Sequence, residues 1–245
     1  NATLGVERGW LERISVRRAW RQRGLGRALT AAGLGRLRDA GMTEAMLGAG
    51  ASGGLVSALF THGIALPHVV DATRARQDTG DLAGADHLLD TWVRPVLAGE
   101  SIAALAVTEP DGGSDAAALR TRAVADADAR VVAGTKTYTT SGTRADLVVT
   151  AARTGGPGAG GLSLLVVDTR TAGFSASARL AKMGWHCSDT AELSFAGVRV
   201  PQADLLGEGQ GFASLARHFA VERLNIAVMG YATAQRCLDL TLEWV

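Results

Sequence analysis

The stretch Ala106-Val107-Thr108-Glu109-Pro110-Asp111-Gly112-Gly113-Ser114-Asp115-Ala116-Ala117-Ala118 decides how the chain is read. Apolar residues up to Val107 read as the end of a strand, and Pro-Asp-Gly-Gly is strong turn chemistry. Adjacent glycines let a backbone approach a ligand closely and aim N–H donors at it. The hydroxyls of Thr108 and Ser114 can reach heteroatoms of a ring or a phosphate. On its own, the segment fits a ligand-binding turn and an ordinary strand-end turn equally well.

Outward from it, short β-rich runs recur at 102–108, 128–133, 146–152, 162–167 and 191–200. Turn-rich stretches separate them, as a small barrel or sandwich requires. Before these runs, residues 55–70 and 85–98 read as helices with a polar stretch, 71–84, between them. Pro67 and Pro95 are expected at helix ends or kinks. From Gly211 the pattern is helical again: Phe212, Leu215, Phe219 and Arg223 open a long segment without proline. At the other end, residues 10–16 alternate as a strand does, 27–39 suit a helix and 42–47 a short strand. A Gly/Ala/Ser stretch at 48–54 reads as a linker. The expected fold class is therefore multidomain α and β. An α/β fragment spans 1–48 and a helical segment 49–101. A β-barrel middle domain spans 102–208, and a helical bundle begins over 209–245.

Composition narrows the function classes. The chain has 245 residues and is 47% hydrophobic, enough for a real core. Its net charge is +1, from 25 basic and 24 acidic side chains, so no global field favours nucleic acid or an acidic membrane. No apolar run approaches the ~20 residues of a membrane-spanning helix. Two cysteines, Cys187 and Cys237, make neither a disulfide framework nor a zinc site and read as packing residues, so a cytoplasmic location is expected. The five histidines show no metal-ligand spacing, and no metal is expected; each reads as satisfied or exposed. The chain starts without Met and stops inside a helical pattern, so it reads as a fragment or as two joined pieces.

Four segments together resemble the acyl-CoA dehydrogenase family. The first is the quoted stretch, which fits that family's first signature at its constrained positions. The second is Gly134-Thr135-Lys136-Thr137-Tyr138-Thr139-Thr140-Ser141-Gly142, similar to the family's G-x-K-x-[WF]-I-T-N-G strand. The third is Lys182-Met183-Gly184-Trp185 with Ser188-Asp189-Thr190 and the residues up to Leu206-Gly207. The fourth is Gly211-Phe212 followed by Phe219-Ala220-Val221-Glu222-Arg223. They occur in family order and spacing.

The resemblance implies FAD as cofactor and an acyl-CoA thioester as substrate. Residues 105–114 would line the flavin and the start of the acyl-CoA channel. Leu105, Val107, Thr108, Gly113 and Ser114 are the expected contacts, Thr108 to the isoalloxazine edge and Ser114 to CoA. Tyr138 sits where the family has Trp or Phe, and Thr140 where a Thr bonds the flavin. Thr139 and Ser141 depart from the usual Ile and Asn. The reaction needs a base for the α-proton, stabilisation of the enolate and an acceptor for the β-hydride. The base is Glu222 of the Glu-Arg pair or a Glu downstream of this chain; Arg223 would bind CoA or fix helix packing. The family also implies a homodimer or homotetramer and an electron-transfer flavoprotein as acceptor.

Residues 8–48 do not fit that family. Arg21-Gln22-Arg23-Gly24-Leu25-Gly26, between strand and helix, resembles the acetyl-CoA loop of GNAT-type N-acetyltransferases, in which backbone N–H groups at a helix start cradle a pyrophosphate. An acetyl-CoA-dependent N-acetyltransferase and an inactive chimeric fragment are therefore the alternative readings.

Overall fold

A computed structural model of the chain describes residues 8–11, 44–47, 53–183, 185–186 and 188–244, with side-chain surroundings from Thr61 onward. Strands β1 (Arg8–Leu11) and β2 (Glu44–Leu47) pair in parallel, Arg8 opposite Glu44. Parallel neighbours need a crossover connection. The acetyltransferase-like loop at Arg21, Gly24 and Gly26, and the helix expected over 27–39, lie outside the described residues.

Helix α1 (Gly53–Asp78) continues eight residues past its expected end. The polar stretch stays helical because one face still packs: Val69 and Thr73 are buried, while Arg74 and Gln77 face solvent. The stop signal is Gly80, at φ +82°, a left-handed conformation open to glycine at little cost. The Asp81 N–H then bonds the Arg76 carbonyl at 2.9 Å. Asp81 in turn caps helix α2 (Leu82–Leu88), its carboxylate accepting from the Gly84 N–H at 3.0 Å. A π-turn (Leu89–Val93) follows, in which the Arg94 N–H reaches back to the Leu89 carbonyl. Pro95, which has no N–H, enters directly after it in helix α3 (Arg94–Leu97). Pro67, by contrast, lies well inside α1.

Seven strands form the main sheet: β3 (Ala103–Ala106), β4 (Arg122–Asp126), β5 (Ala129–Thr140), β6 (Leu147–Arg153), β7 (Leu162–Asp168), β8 (Phe174–Ala176) and β9 (Thr190–Pro201). β6 gives one edge to β7, antiparallel along its whole length. Its other edge is shared, first by β3 in parallel and then by β4 at Arg122–Arg153. β5 lies between β4 and β9 and carries two register shifts against β9, one of them between Lys136 and Thr139. Such bulges increase curvature, and the sheet curls into a half-barrel. The segment after β9 returns to β7, with the Leu206 N–H donating to the Leu164 carbonyl at 2.8 Å. The unexpected strands are β4 and β8. Both are short and largely exposed, so neither has a strong apolar run.

Alternation along β6 and β7 divides the interior in two. Leu147, Val149, Ala151, Leu162, Leu164 and Val166 face α1, the π-turn and helix α4 (Gly211–Trp244). Val148, Ala152, Leu165 and Val167 face the inside of the curl with Val132, Leu193, Phe195 and Val198. Both strands are therefore buried on both faces, each large aliphatic side chain contributing about 1.5–3 kcal/mol. Polar clamps fix the helices on the sheet. Buried Asp204 accepts from Trp92 Nε1 at 2.7 Å and bonds His87 Nε2 at 2.8 Å. Arg76 donates to the carbonyls of Ala203 and Leu205.

Candidate functional site

The quoted stretch leaves β3 and turns at once. The Glu109 N–H donates to the Gly112 carbonyl at 2.8 Å and the Gly112 N–H to the Glu109 carbonyl at 3.1 Å, closing a tight turn over Pro110 and Asp111. A Cβ at Gly113 would come within 2.9 Å of the Thr108 methyl, so glycine is required there by the turn's own packing.

The turn is anchored by a pair that the sequence reading passed over. Lys136 of β5 is wholly buried, and its ammonium donates to Glu109 Oε1 at 2.8 Å and to the Val107 carbonyl at 2.9 Å. Glu109 also accepts from the Arg120 and Thr121 N–H groups at 2.7 and 2.9 Å. Burial alone would push this carboxyl up, but the bonds from Lys136 and from the Arg120 and Thr121 N–H groups prevail and hold it at about 2. Burial pushes the Lys136 ammonium down to about 8 against the pull of Glu109. The Glu of the first segment and the Lys of the second were legible as motif positions, but their pairing needed the register of β5.

Beside this anchor, the Thr137 N–H donates to the Thr108 carbonyl at 2.8 Å. The first two family-like segments are thus neighbours. Leu105, Val107 and Thr108 are half-buried, and Gly113 and Ser114 are exposed. Tyr138 stands in the β5 bulge at φ +56° with 69% of its surface exposed, Thr140 is half-buried, and Thr139 is buried, its hydroxyl without a partner among the described residues. Ser141 has φ +63°. Asn tolerates that conformation better than Ser, which gives physical sense to the Asn that the resembling strand carries there. Ser141 is buried and held by Thr61 of α1 at 3.1 Å and by Arg144 at 3.2 Å. Arg144 and Thr143 both bond Asp189, so the third segment closes on the end of the second.

The fourth segment opens α4. Phe219 packs against the same cluster as Leu105 and Val107. Glu222, one turn on, is half-buried and lines a small cleft with Pro67, His68 and Asn225. Burial pushes its carboxyl up, partly opposed by Arg223. Arg223 is exposed. Cys237, read as a packing residue, is exposed on the same helix, where no described residue buries it; Cys187 lies outside the described residues. His68, read as satisfied or exposed, is instead buried with one ring nitrogen that has no partner among the described residues.

Residues 104–198 match the family model described as acyl-CoA dehydrogenase, middle domain. These residues form an acyl-CoA dehydrogenase middle domain. The chain is 36% identical over 166 residues to the mitochondrial isobutyryl-CoA dehydrogenase of Bos taurus, covering 67% of this chain and 40% of that protein. It shares 56% identity and a TM-score of 0.71 with a crystal structure described as "a probable acyl CoA dehydrogenase" from Mycobacterium abscessus, over 79% of this chain and 49% of that one. A glutaryl-CoA dehydrogenase from Mycobacterium smegmatis in complex with FADH2 is 30% identical, with a TM-score of 0.59, over 64% of this chain and 40% of that one. The chain thus spans two fifths to half the length of these relatives. The first two segments, with the Glu109–Lys136 pair between them, lie inside the middle domain; Glu222 lies beyond it.

Replacing Lys136 by Met leaves the middle domain with a buried, uncompensated carboxylate. The expected cost is about 3–5 kcal/mol, read from urea unfolding midpoints, with much of it recovered in the Glu109→Gln, Lys136→Met double variant. A cost below about 1 kcal/mol would remove the pair from its anchoring role. Acid should act on the same pair. The Glu109 carboxyl is depressed on folding from its ordinary 4.5 to about 2. Its stabilisation is therefore complete above the ordinary value and lost as pH falls toward the folded one. Glu109→Gln should flatten that part of the stability profile, measured by circular dichroism between those two values.

Proposed function

We propose that the chain is part of an FAD-dependent oxidoreductase that converts acyl-CoA thioesters to 2-enoyl-CoA. The observation that carries this is the junction of two parts. One is the shelf we read in Leu105, Val107, Thr108, Tyr138 and Thr140, on segments joined by the bond from the Thr137 N–H to the Thr108 carbonyl. The other is the cleft holding Glu222, reached through Phe219. The shelf suits an isoalloxazine ring: it joins aliphatic surface and an exposed aromatic side chain to hydroxyls. The named complex of the Mycobacterium smegmatis relative with FADH2 supports the same cofactor.

When bound, FAD supplies the acceptor for a hydride from the β-carbon. The chain's own residues do the rest. Thr108, Tyr138, Thr139 and Thr140 would hold the ring, Thr108 and Thr140 through their hydroxyls. Ser114, exposed at the mouth of the turn, binds the CoA portion with Arg223. Glu222 removes the proton α to the thioester carbonyl. Burial raises its carboxyl, the direction that strengthens a base. The thioester loses a proton and a hydride, and a double bond forms between Cα and Cβ. An electron-transfer flavoprotein as electron acceptor, a dimeric or tetrameric assembly and a cytoplasmic location complete the reading. Among the described residues no helix is long and apolar enough to cross a membrane.

Two measurements test it. The chain mixed with FAD and desalted should keep the flavin's visible absorbance bands, and Thr108→Val should weaken retention. Bands lost equally from both proteins would count against the shelf. In enzyme carrying Glu222→Gln, kcat should fall by about 10²–10⁴. Near-normal turnover would move the base elsewhere.

A further inference from the structure

Ser188-Asp189-Thr190 leads into β9 beside the end of β5, with Thr190 opposite Thr140. Asp189 is 8% exposed, yet its carboxylate has three donors. Oδ2 accepts from the Thr143 N–H at 3.0 Å and from the Thr143 hydroxyl at 2.7 Å, and Oδ1 accepts from Arg144 Nε at 2.7 Å. The Asp189 carbonyl accepts from the Ser141 N–H at 3.2 Å. Burial alone would push the carboxyl up, but the bonds from Thr143 and the charge of Arg144 prevail and hold it below the usual carboxylate range. Bonds to an ionised group are short and strong, so a carboxylate met on both oxygens is fixed and fixes its partners. Lys182 steadies the same segment, donating to the Ser188 carbonyl at 2.6 Å and to the Thr190 hydroxyl at 3.0 Å.

These bonds converge on one strained residue. Arg144, turned by Asp189, donates through Nη2 to the Ser141 hydroxyl at 3.2 Å. Thr61 of α1 meets the same hydroxyl at 3.1 Å. Ser141 is wholly buried and lies at φ +63°. Asparagine reaches this left-handed conformation at lower cost, because its side chain bonds the local backbone. A serine there is held from outside: by the Asp189 carbonyl on its N–H, and by Arg144 and Thr61 on its hydroxyl. The Ser141 N–H belongs to the planar peptide that carries the Thr140 carbonyl, so holding it fixes how Thr140 leaves β5.

We propose that Asp189 is a positioning residue of the flavin site: it holds Ser141 in its left-handed conformation, directly and through Arg144, and so aims the Thr140 hydroxyl at the ring edge. The proposal rests on the dehydrogenase reading. In this role Asp189 touches neither ring nor substrate; it acts through the end of β5. A binding group must be kept within about 0.5 Å of its working place, and packing and hydrogen bonds from behind are what keep it there. The Asp189–Arg144–Ser141 chain does here what the side chain of an asparagine does for itself.

The test uses the full chain and FAD. In Asp189→Asn, which keeps the size of the side chain and removes its charge, the flavin dissociation constant should rise about tenfold. The reduction potential of the flavin that stays bound should shift in the same direction as in Thr140→Val, because both variants weaken the same bond to the ring. A merely structural role would lower the urea midpoint and leave that potential in place. Adding Ser141→Asn to Asp189→Asn should bring the potential back toward that of the unaltered protein, since asparagine adopts the left-handed conformation itself. Should Asp189→Asn not fold, Thr143→Ala removes one bond to the carboxylate and should move the potential the same way by less. An unmoved potential in whichever of these two variants folds would overturn the positioning role and leave the dehydrogenase reading intact. Retention of no flavin by the unaltered chain would overturn both.

Discussion

A lysine ammonium sealed from solvent, 2.8 Å from a carboxylate that is nearly as buried, is the constraint on which the site depends. Neither charge is tolerable there without the other. Lys136 can lie inside only because Glu109 turns back from the end of β3, and Glu109 turns back only because the Arg120 and Thr121 N–H groups also claim it. The pair therefore fixes three segments at once: the end of β3, the start of β4 and the middle of β5. The Gly-Gly turn is stretched between these fixed points. Its glycines serve the tightness of that turn first, at Gly113 against Thr108, and openness to a ligand second.

The bulge in β5 follows from the same geometry. Lys136 must point inward, while Tyr138 two residues on is exposed at positive φ. The register shift between Lys136 and Thr139 absorbs the difference. The left-handed conformation of a bulky aromatic costs about 1–3 kcal/mol and persists only where its surroundings enforce it. Here the enforcement comes from Thr137, bonded to Thr108 on one side, and from Ser141, held by Thr61 and Arg144 on the other.

Much of this architecture was legible in the sequence, and the gaps have physical reasons. The runs at 146–152 and 162–167 are dominated by aliphatic residues, and they are the strands buried on both faces. β4 and β8 escaped because their side chains mostly face water and their pairing is set by neighbours. The extra turns of α1 escaped because Thr73, the residue that keeps the face buried, is polar and satisfies itself on the Val69 carbonyl. At the site, the motif residues were readable by type and spacing. What sequence did not carry was the pairing of Lys136 with Glu109 and the orphan nitrogen of His68. The first is a relation between residues 27 positions apart, and the second is a missing bond, which no pattern in the chain records.

Helix α4 has a thermodynamic consequence. It rises for 34 residues, about 50 Å, yet from Val221 to Trp244 no side chain is buried. Leu224, Tyr231, Leu238 and Leu242 present an apolar face to solvent. Surface of that kind makes the folded state a ligand-binding species in the sense of mass action. Whatever covers the face adds RT ln(1 + [L]/Kd) to its stability, and a second copy of the chain counts as such a ligand. A partner that covers the face would make the melting temperature depend on that partner's concentration.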